Sequence, residues 1–411
     1  MRSIRILSAA VCSGALLVGP VAAPESASAK QPPSATVITR WSAIGLRTLF
    51  VERSTPIPTS TLFLGFMSLA VHDAVTTASK GIVRRGHASA DAAAAVAAHD
   101  VLAEYFPAST ANLDADLAVD IDAISSSPAK TRGIDIGHQS AAEMIASRVG
   151  DGRDAPILYT KAPVVGIWRP TPPTNTAMLV PWLGFVKPLL LDSATQIQPD
   201  GPDGLTSADY AADFNEVKLM GSLNNSGRSP AQTDTALFYN FNSVMQMQEA
   251  LIDLVTRHPM DIVSASRRFA QVNASVADAV ITCWRLKFDV GRWRPITAIH
   301  QAAADGNPAT ALDPSWASLF DTPPYPEYVS GHASVTNAFT QSLRLAFGSN
   351  TTDLNVYSGV TGTTRHYTSL DALSEDAFNA RIWLGIHFRD AMEDAVFVGE
   401  RAATIVDRRL R

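Results

Sequence analysis

Apolar residues recur at helical spacing through most of this 411-residue chain, and alternating strand patterns are scarce. Hydrophobic residues make up 46% of the sequence, which is enough to build a large buried core. The pattern therefore predicts an all-α protein with one large helical domain. The helical windows lie at 58–150, 207–222, 231–256, 261–288, 331–347 and 373–408.

One long stretch interrupts the helical pattern. Between Ala155 and Pro202 prolines recur closely, as in the run Trp-Arg-Pro-Thr-Pro-Pro at 168–173. Each proline removes a backbone donor and restricts the residue before it. The stretch cannot form a regular helix, and we expect a long ordered loop wrapped on the surface.

The first 29 residues have the features of a secretory signal peptide. Two arginines precede an apolar run, which ends in the small-x-small pattern Ala27-Ser28-Ala29. We expect cleavage after Ala29 and secretion of a mature domain over 30–411. An uncleaved membrane anchor is the alternative, but glycines and a proline interrupt the apolar run.

The charge balance and the missing motifs disfavour several function classes. The formal net charge is -6, without a block of five or more like charges, so the footprint of a nucleic-acid binder is missing. The sequence has no Gly-x-Gly-x-x-Gly, no Walker-type loop, no His-Glu-x-x-His and no Gly-x-Ser-x-Gly. We expect small molecules as partners. We expect no membrane span in the mature chain, because no later stretch reaches about 18 consecutive apolar residues.

The first candidate segment places two cations at heptad spacing. Lys287 and Arg294 are seven residues apart, so on a continuing helix they would share one face and could contact one anion. Trp284 lies one helical turn before Lys287, and Pro295 directly follows Arg294. The alternative is an ordinary solvated pair of surface charges.

The second segment is a proline-rich lead into a helix. The run Pro-Pro-Tyr-Pro-Glu-Tyr-Val-Ser-Gly-His at 323–332 precedes an apolar row at steps of four residues. Because the prolines forbid helix and the row demands it, Ser330, Gly331 and His332 are expected at a helix N-terminus. Free backbone N–H groups and the positive end of the helix dipole can bind an anion there. The alternative for Ser330 is a simple helix cap.

The third segment contains Arg381 and His387. Their six-residue separation would point the two side chains about 120° apart on an unbroken helix. They can share a target only if Gly385 bends or breaks the helix. The alternative is that His387 is a satisfied core histidine.

Together the three segments resemble the signature of the vanadium-dependent haloperoxidase and type 2 phosphatidic acid phosphatase superfamily. The matching pattern is Lys287-x6-Arg294-Pro295, Ser330-Gly331-His332 and Arg381-x5-His387. The resemblance extends over about 205–405 and implies two four-helix bundles with an oxyanion held at the end of one bundle. Trp284 also resembles the tryptophan of the haloperoxidase branch, so a soluble bacterial-type haloperoxidase is expected.

The resemblance implies a role for each residue of the signature. His387 would form the single protein bond to vanadate, for which phosphate can substitute. His332 would be the acid–base group, which its ordinary pKa near neutrality permits. The oxyanion oxygens would be bound by cationic and small polar groups, namely Lys287, Arg294, Ser330, the Gly331 amide and Arg381.

The implied reaction is the oxidation of bromide or chloride by hydrogen peroxide to hypohalous acid, with vanadium as an unchanging Lewis acid. Lys287 would polarise the bound peroxide for attack by the halide. Trp284 and Tyr325 are candidates for a halide or substrate pocket, and a small organic acceptor is a further candidate partner. Tyr325 stands where chloroperoxidases tend to carry phenylalanine and bromoperoxidases histidine, so the halide preference stays open.

Two other functions stay open. A secreted soluble acid phosphatase of the same superfamily would use His387 as nucleophile and form a phosphohistidine. Its relatives usually orient that histidine with an aspartate four residues later, where this chain has Ala391 between Asp390 and Asp394. A non-catalytic oxyanion-binding protein would need the arginines but has no use for the two histidines.

Overall fold

The computed structural model describes residues 35–80 and 87–410. The predicted signal peptide at 1–29 lies outside these residues, and its cleavage stays a prediction. The helices are α1 (Thr36–Leu46), α2 (Ile57–Lys80), α3 (Ala90–Tyr105), α4 (Thr110–Ala123), α5 (Pro128–Ser147), α6 (Ala208–Met220), α7 (Pro230–Phe238), α8 (Ser243–Arg257), α9 (Ile262–Val290), α10 (Pro295–His300), α11 (Gly331–Phe347), α12 (Leu370–Trp383) and α13 (Arg389–Arg409). The strands are β1 (Thr351–Ser358) and β2 (Thr363–Ser369).

The predicted all-α fold class is confirmed, and helix α9 organises the helices. The side chain of Asp261 caps the N-terminus of α9 by accepting the backbone N–H of Ser264. Every residue from Phe269 to Trp284 is buried, because α9 packs against α2 on one side and against α11 and α13 on another. Helices α2, α3 and α5 pack together as one group, and α9, α11 and α13 as a second. Helix α9 also packs against α2 of the first group and so connects the two groups.

Two predicted helical windows are interrupted. The window 231–256 is broken between α7 and α8, and the window 373–408 is broken between α12 and α13. At the second break Gly385 has a φ of 80°, and a Cβ there would lie 2.5 Å from the Gly221 carbonyl oxygen. The positive φ and this close backbone approach both require glycine.

The antiparallel hairpin of β1 and β2 was not expected from the sequence. In β1 Leu354, Val356 and Ser358 are buried, so the alternation of a half-buried strand is present but covers only a few residues. The hairpin packs against α8, at the side of the helical core.

The proline-rich stretch is a loop, as predicted, but the prediction that it lies on the surface is only partly correct. Between α5 and α6 it contains a single short 3₁₀ turn at Pro181–Phe185, and its Trp168 and Leu183 side chains are buried in the core. The buried Asp278 carboxylate of α9 accepts the backbone N–H groups of residues 189–191 at 2.6–2.9 Å. The loop therefore packs into the fold, because a buried carboxylate satisfies its backbone donors.

Helix α2 alone, within the described parts of the chain, is long and apolar enough to cross a bilayer by length and composition. Of its most apolar 18-residue window, 67% is buried inside the protein. This burial is typical of a core helix.

Candidate active site

In the first segment, Lys287 and Arg294 do not lie on one continuous helix, as their spacing had suggested. Helix α9 ends at Val290, and Gly291 follows in the left-handed conformation with a φ of 69°. Lys287 is therefore in the last turn of α9, whereas Arg294 precedes α10. Trp168 N–H donates to the Gly291 carbonyl at 2.7 Å, so the proline-rich loop holds the turn that presents Arg294.

The Lys287 ammonium is saturated by backbone carbonyls of the second segment. Its Nζ donates to the oxygens of Pro326, Glu327 and Val329 at 2.9, 3.0 and 2.5 Å. The side chain is completely buried, and burial lowers the pKa of Lys287 to about 7. In this arrangement Lys287 uses all three of its N–H donors to hold the 326–329 loop.

Arg294 connects the three segments. Its Nε donates to the Tyr325 carbonyl at 3.0 Å, and its Nη1 donates to the Ile386 carbonyl at 2.7 Å. Nη1 also lies 3.2 Å from Nε2 of His387. Nη2 is buried without a hydrogen-bond partner among the described residues. The guanidinium therefore has an unused donor beside His387.

The second segment forms the N-terminus of α11, as predicted. The Ser330 hydroxyl accepts the backbone N–H of Ala333, and the Ser330 N–H donates to the Ala391 carbonyl at 3.0 Å. A Cβ on Gly331 would lie 3.2 Å from the Trp284 ring, so close packing on that ring favours glycine. His332 is largely buried, and its Nε2 has no hydrogen-bond partner within the described part of the chain. Burial, aided by Arg381, holds the pKa of His332 well below its usual range.

In the third segment Gly385 breaks the helix between Arg381 and His387, as the spacing of these two residues requires if they are to share a target. The Arg381 Nη1 donates to the Tyr239 carbonyl at 3.1 Å, while its Nε is buried and has no partner in the described regions. Burial lowers the pKa of Arg381 to about 10. His387 is buried, and burial beside Arg294 holds its pKa well below the usual range.

Glu327 is a functional residue that sequence reasoning missed. Its Oε1 lies 2.8 Å from Nδ1 of His387 and accepts the backbone N–H of Phe388 at 3.1 Å. Burial raises the pKa of Glu327 to about 7. Because Nε2 of His387 faces a guanidinium donor, the ring proton belongs on Nδ1, where the carboxylate accepts it.

Glu327 lies within the second motif, three residues before Ser330. The expected position of a carboxylate partner was four residues after His387. The two aspartates beside Ala391 have other contacts. Asp390 accepts the Asp203 N–H at 3.4 Å, and Asp394 accepts the Tyr328 hydroxyl.

A cavity of about 290 Å³ opens onto these groups. His332, Arg381 and His387 lie in its lining together with Trp284 and Tyr325, the two residues predicted for a halide or substrate pocket. The Trp284 and Tyr325 ring centroids are 5.0 Å apart. Lys287 Nζ and the Arg294 guanidinium carbon lie 5.0 and 5.1 Å from the Tyr325 ring centroid. Of the predicted site residues, the three that are not part of this lining are Lys287, Arg294 and Ser330.

The donor set suits an oxyanion. Buried polar groups are normally hydrogen-bonded, yet one donor of Arg294, which contacts Nε2 of His387, and one donor of Arg381, which lines the same cavity, lack partners among the described residues. Unused guanidinium N–H groups match the oxygens of vanadate or phosphate. The described residues include no group of three or more His, Cys, Asp or Glu that could hold a metal cation. The fold is helical, and the site has the kinds of donor that an oxyanion would need.

The chain is similar to known vanadium-dependent haloperoxidases. Residues 267–411 match the family model of the VCPO second helical-bundle domain. The vanadium chloroperoxidase of Curvularia inaequalis is 28% identical over 177 residues, which cover 35% of this chain and 28% of that protein. The matched part therefore spans less than a third of this curated relative. These matches support a relationship to the vanadium-dependent haloperoxidase superfamily, and the family-model match lies in residues 267–411.

Two solved structures share the fold over most of the chain. A bacterial vanadium-dependent iodoperoxidase matches with a TM-score of 0.76 and 22% identity, covering 92% of this chain and 97% of that one. A bacterial vanadium-dependent chloroperoxidase in its holo form matches with a TM-score of 0.68 and 16% identity, covering 86% and 92%. These similarities establish the fold and leave the reaction to be argued from the site.

Proposed function

We propose that this protein is a vanadium-dependent haloperoxidase that oxidises halide with hydrogen peroxide to hypohalous acid. The observation that carries the proposal is the pair of unused buried donors on Arg294, which contacts Nε2 of His387, and on Arg381, which lines the same cavity as His387. The similarity to vanadium-dependent haloperoxidases supports the same conclusion.

The residues present fit vanadate as the cofactor. His387 would hold it through Nε2, and Arg294 and Arg381 would bind its oxygens together with Ser330 and the Gly331 amide. When bound, vanadate supplies a Lewis acid that activates hydrogen peroxide without a change of oxidation state. Phosphate, with the same tetrahedral shape, can take its place.

His387 is prepared for this role by its carboxylate partner. The Nδ1–H donates to Glu327, so the Nε2 lone pair is directed at the cage. Arg294 donates to the same Nε2, and this contact would give way when Nε2 takes a ligand.

His332 would act as the base toward hydrogen peroxide. Its lowered pKa keeps the ring neutral at pH 7, so Nε2 can accept a proton. His332 lines the cavity together with Arg381, which can neutralise the developing charge.

Halide selection is the part of the proposal that needs direct measurement. Solved structures with this fold include an iodoperoxidase and a chloroperoxidase. Bromide and chloride are the expected substrates, and iodide belongs in the same test. Tyr325 is the wall residue whose ring lies closest to the two cations Lys287 and Arg294.

A soluble acid phosphatase is the second candidate, and one observation favours it. Glu327 provides His387 with the carboxylate that position 391 lacks, and a nucleophilic histidine needs such a partner. A phosphohistidine formed at Nε2 would then be hydrolysed by water.

One experiment separates the candidates. The purified chain from residue 30 is loaded with vanadate and supplied with hydrogen peroxide, a dione dye and each halide in turn, and p-nitrophenyl phosphate is offered to the vanadate-free protein. Halogenation that His387→Ala abolishes supports the haloperoxidase. Phosphate release without halogenation supports the phosphatase, and stoichiometric vanadate binding without either reaction supports a binder.

Export completes the proposal. The residues after the expected cleavage site form the catalytic domain, and we expect the secreted protein to begin at Lys30. N-terminal sequencing of protein from the culture medium of an expressing bacterium tests this.

A further inference from the structure

The cavity above the oxyanion cage is much larger than the halide and peroxide require. Its volume is about 290 Å³. A water-sized reagent takes about 30 Å³ in a liquid, so peroxide and one halide fill only a fraction of the space. Bound vanadate would take a further part of it, because His387 and Arg381 belong to the lining. The remaining volume is available for a third molecule.

The walls of this remaining volume are apolar and aromatic. Leu179, Phe241, Val244 and Phe320 belong to the lining, together with the Trp284 ring. At the mouth Ile57 is 43% exposed and Phe320 is 44% exposed, although both are large hydrophobic residues. Apolar side chains that remain exposed around a cavity mark a binding site for an apolar partner.

The charges of the lining are confined to the deep end. Arg381 is the one Lys, Arg, Asp or Glu that lines the cavity within the described residues, and it belongs to the oxyanion cage. The other polar lining residues outside the cage are uncharged: Thr61, Asn240, Asn242 and Ser243. Nothing in the outer wall would pair with a charged molecule, so a neutral ligand fits best.

We propose that the cavity binds a neutral, electron-rich aromatic compound of one or two rings, which is halogenated in place. This inference rests on the proposed haloperoxidase function. An apolar protein cavity of about 150 Å³ accommodates benzene, so the volume left beside vanadate, peroxide and a halide suits one ring, or two at most. The aromatic walls offer edge and face contacts to such a ring.

The chemistry balances with the reagents already named. Bromide, hydrogen peroxide and one proton give hypobromous acid and water. The acid then brominates a ring carbon, which releases its hydrogen as a proton, and the hydroxyl leaves with that proton as water. A ring held in the cavity meets the oxidant where it is formed, which replaces a bimolecular encounter in solution.

Anisole is a suitable probe, because it is neutral and brominates at the ortho and para carbons. The vanadate-loaded enzyme should show saturation with anisole, and its ortho-to-para ratio should differ from that of reagent hypobromous acid. Phe320→Asp and Ile57→Asp place a charge at the mouth. Each should raise the KM for anisole about 10-fold or more and return the ratio to that of the free reagent.

Phe397→Asp is the matched control, because Phe397 is 41% exposed on α13 and does not line the cavity. It should leave both the KM and the isomer ratio unchanged. An enzyme ratio equal to that of the free reagent would overturn the inference, because anisole would then react in solution.

Two further measurements keep this inference separate from the proposed function. Triiodide formation from iodide and peroxide, without any acceptor, tests halide oxidation alone. Binding of anisole without peroxide, followed by saturation-transfer NMR, tests the cavity alone. Binding that Phe320→Asp abolishes and Phe397→Asp preserves supports the inference, and no binding to the wild type overturns it whatever the halide assay shows.

Discussion

The carboxylate of Glu327 and the imidazole of His387 form a buried pair, with Oε1 2.8 Å from Nδ1. The two residues are sixty positions apart and belong to different motifs. The pair determines which ring nitrogen of His387 carries the proton, and it leaves Nε2, which Arg294 contacts, as the acceptor of the ring.

Replacing Glu327 should weaken vanadate binding. Glu327→Ala removes the acceptor of the Nδ1 proton, and loss of such a partner typically weakens a metal site about 10- to 100-fold. Glu327→Gln retains an oxygen acceptor and should lose less. Equilibrium binding followed by vanadium NMR measures both, with thermal unfolding as the check on folding. Equal affinity in all three proteins would contradict the assigned pairing.

Lys287 and Arg381 should contribute differently to the free energy of unfolding. Lys287→Met leaves three buried carbonyls without their donor, so the vanadate-free protein should be less stable by about 1–3 kcal/mol or more. Arg381→Met removes a buried cation with an unused Nε and only one hydrogen bond, to the Tyr239 carbonyl, so it should cost less stability than Lys287→Met. Urea unfolding of the vanadate-free variants gives both values.

Arg381→Met should also weaken vanadate binding, for a reason unrelated to stability. Arg381→Met should bind vanadate at least about tenfold more weakly although it is stably folded, since a charge-assisted contact is lost. Retention of full affinity by Arg381→Met would show that Arg381 lies outside the cage.

Gly385 should be essential for the geometry between Arg381 and His387. Gly385→Ala places a Cβ against the Gly221 carbonyl in a left-handed backbone, so unfolding free energy and vanadate affinity should both fall. Gly348→Ala is the control, because Gly348 also has a positive φ, of 65°, but open space around it. It should cost only the conformational penalty of about 1–2 kcal/mol and leave vanadate binding unchanged. Equal effects of the two changes would refute the packing argument.

His332 should be needed for turnover and not for cofactor binding. His332→Ala should retain vanadate within a few-fold of the wild-type affinity, since it donates no hydrogen bond in the cage. It should lower kcat for halide oxidation by about 10²- to 10⁴-fold, the range for general acid–base catalysis. Parallel loss of affinity and turnover would assign His332 to the cage instead.

Stability should fall with rising pH through the titration of Asp390. Burial, with Asp203 nearby, raises the pKa of Asp390 from 3.8 to about 7. The folded chain therefore binds this proton more tightly than the unfolded chain, so the stabilisation is complete below 3.8 and is lost as pH rises through about 7. Asp390→Asn should reduce the fall in Tm between about pH 5 and about pH 8. Asp122→Asn, at an exposed carboxylate on α4, is the control, and an unchanged slope in Asp390→Asn would contradict the assignment.

Several local features could be read directly from residues. The proline lead and the apolar row were enough to place Ser330 at the start of α11, because proline and helical periodicity act over a few residues. The helix break at Gly385, which Arg381 and His387 need in order to share a target, is confirmed. The hairpin at β1 and β2 was missed because its buried alternation is limited to positions 354, 356 and 358.

The sequence by itself determined the helical class, the helix ends that carry the motif residues, and the types of group that an oxyanion needs. These follow from interactions within one or two helical turns. Only the tertiary structure decided that Lys287 binds three carbonyls, that Glu327 is the partner of His387, and that Phe320 and Ile57 meet at one cavity mouth. The physical reason is that buried hydrogen bonds and cavity walls depend on distances between residues far apart in the chain, and those distances are set by the packing of the helices around α9.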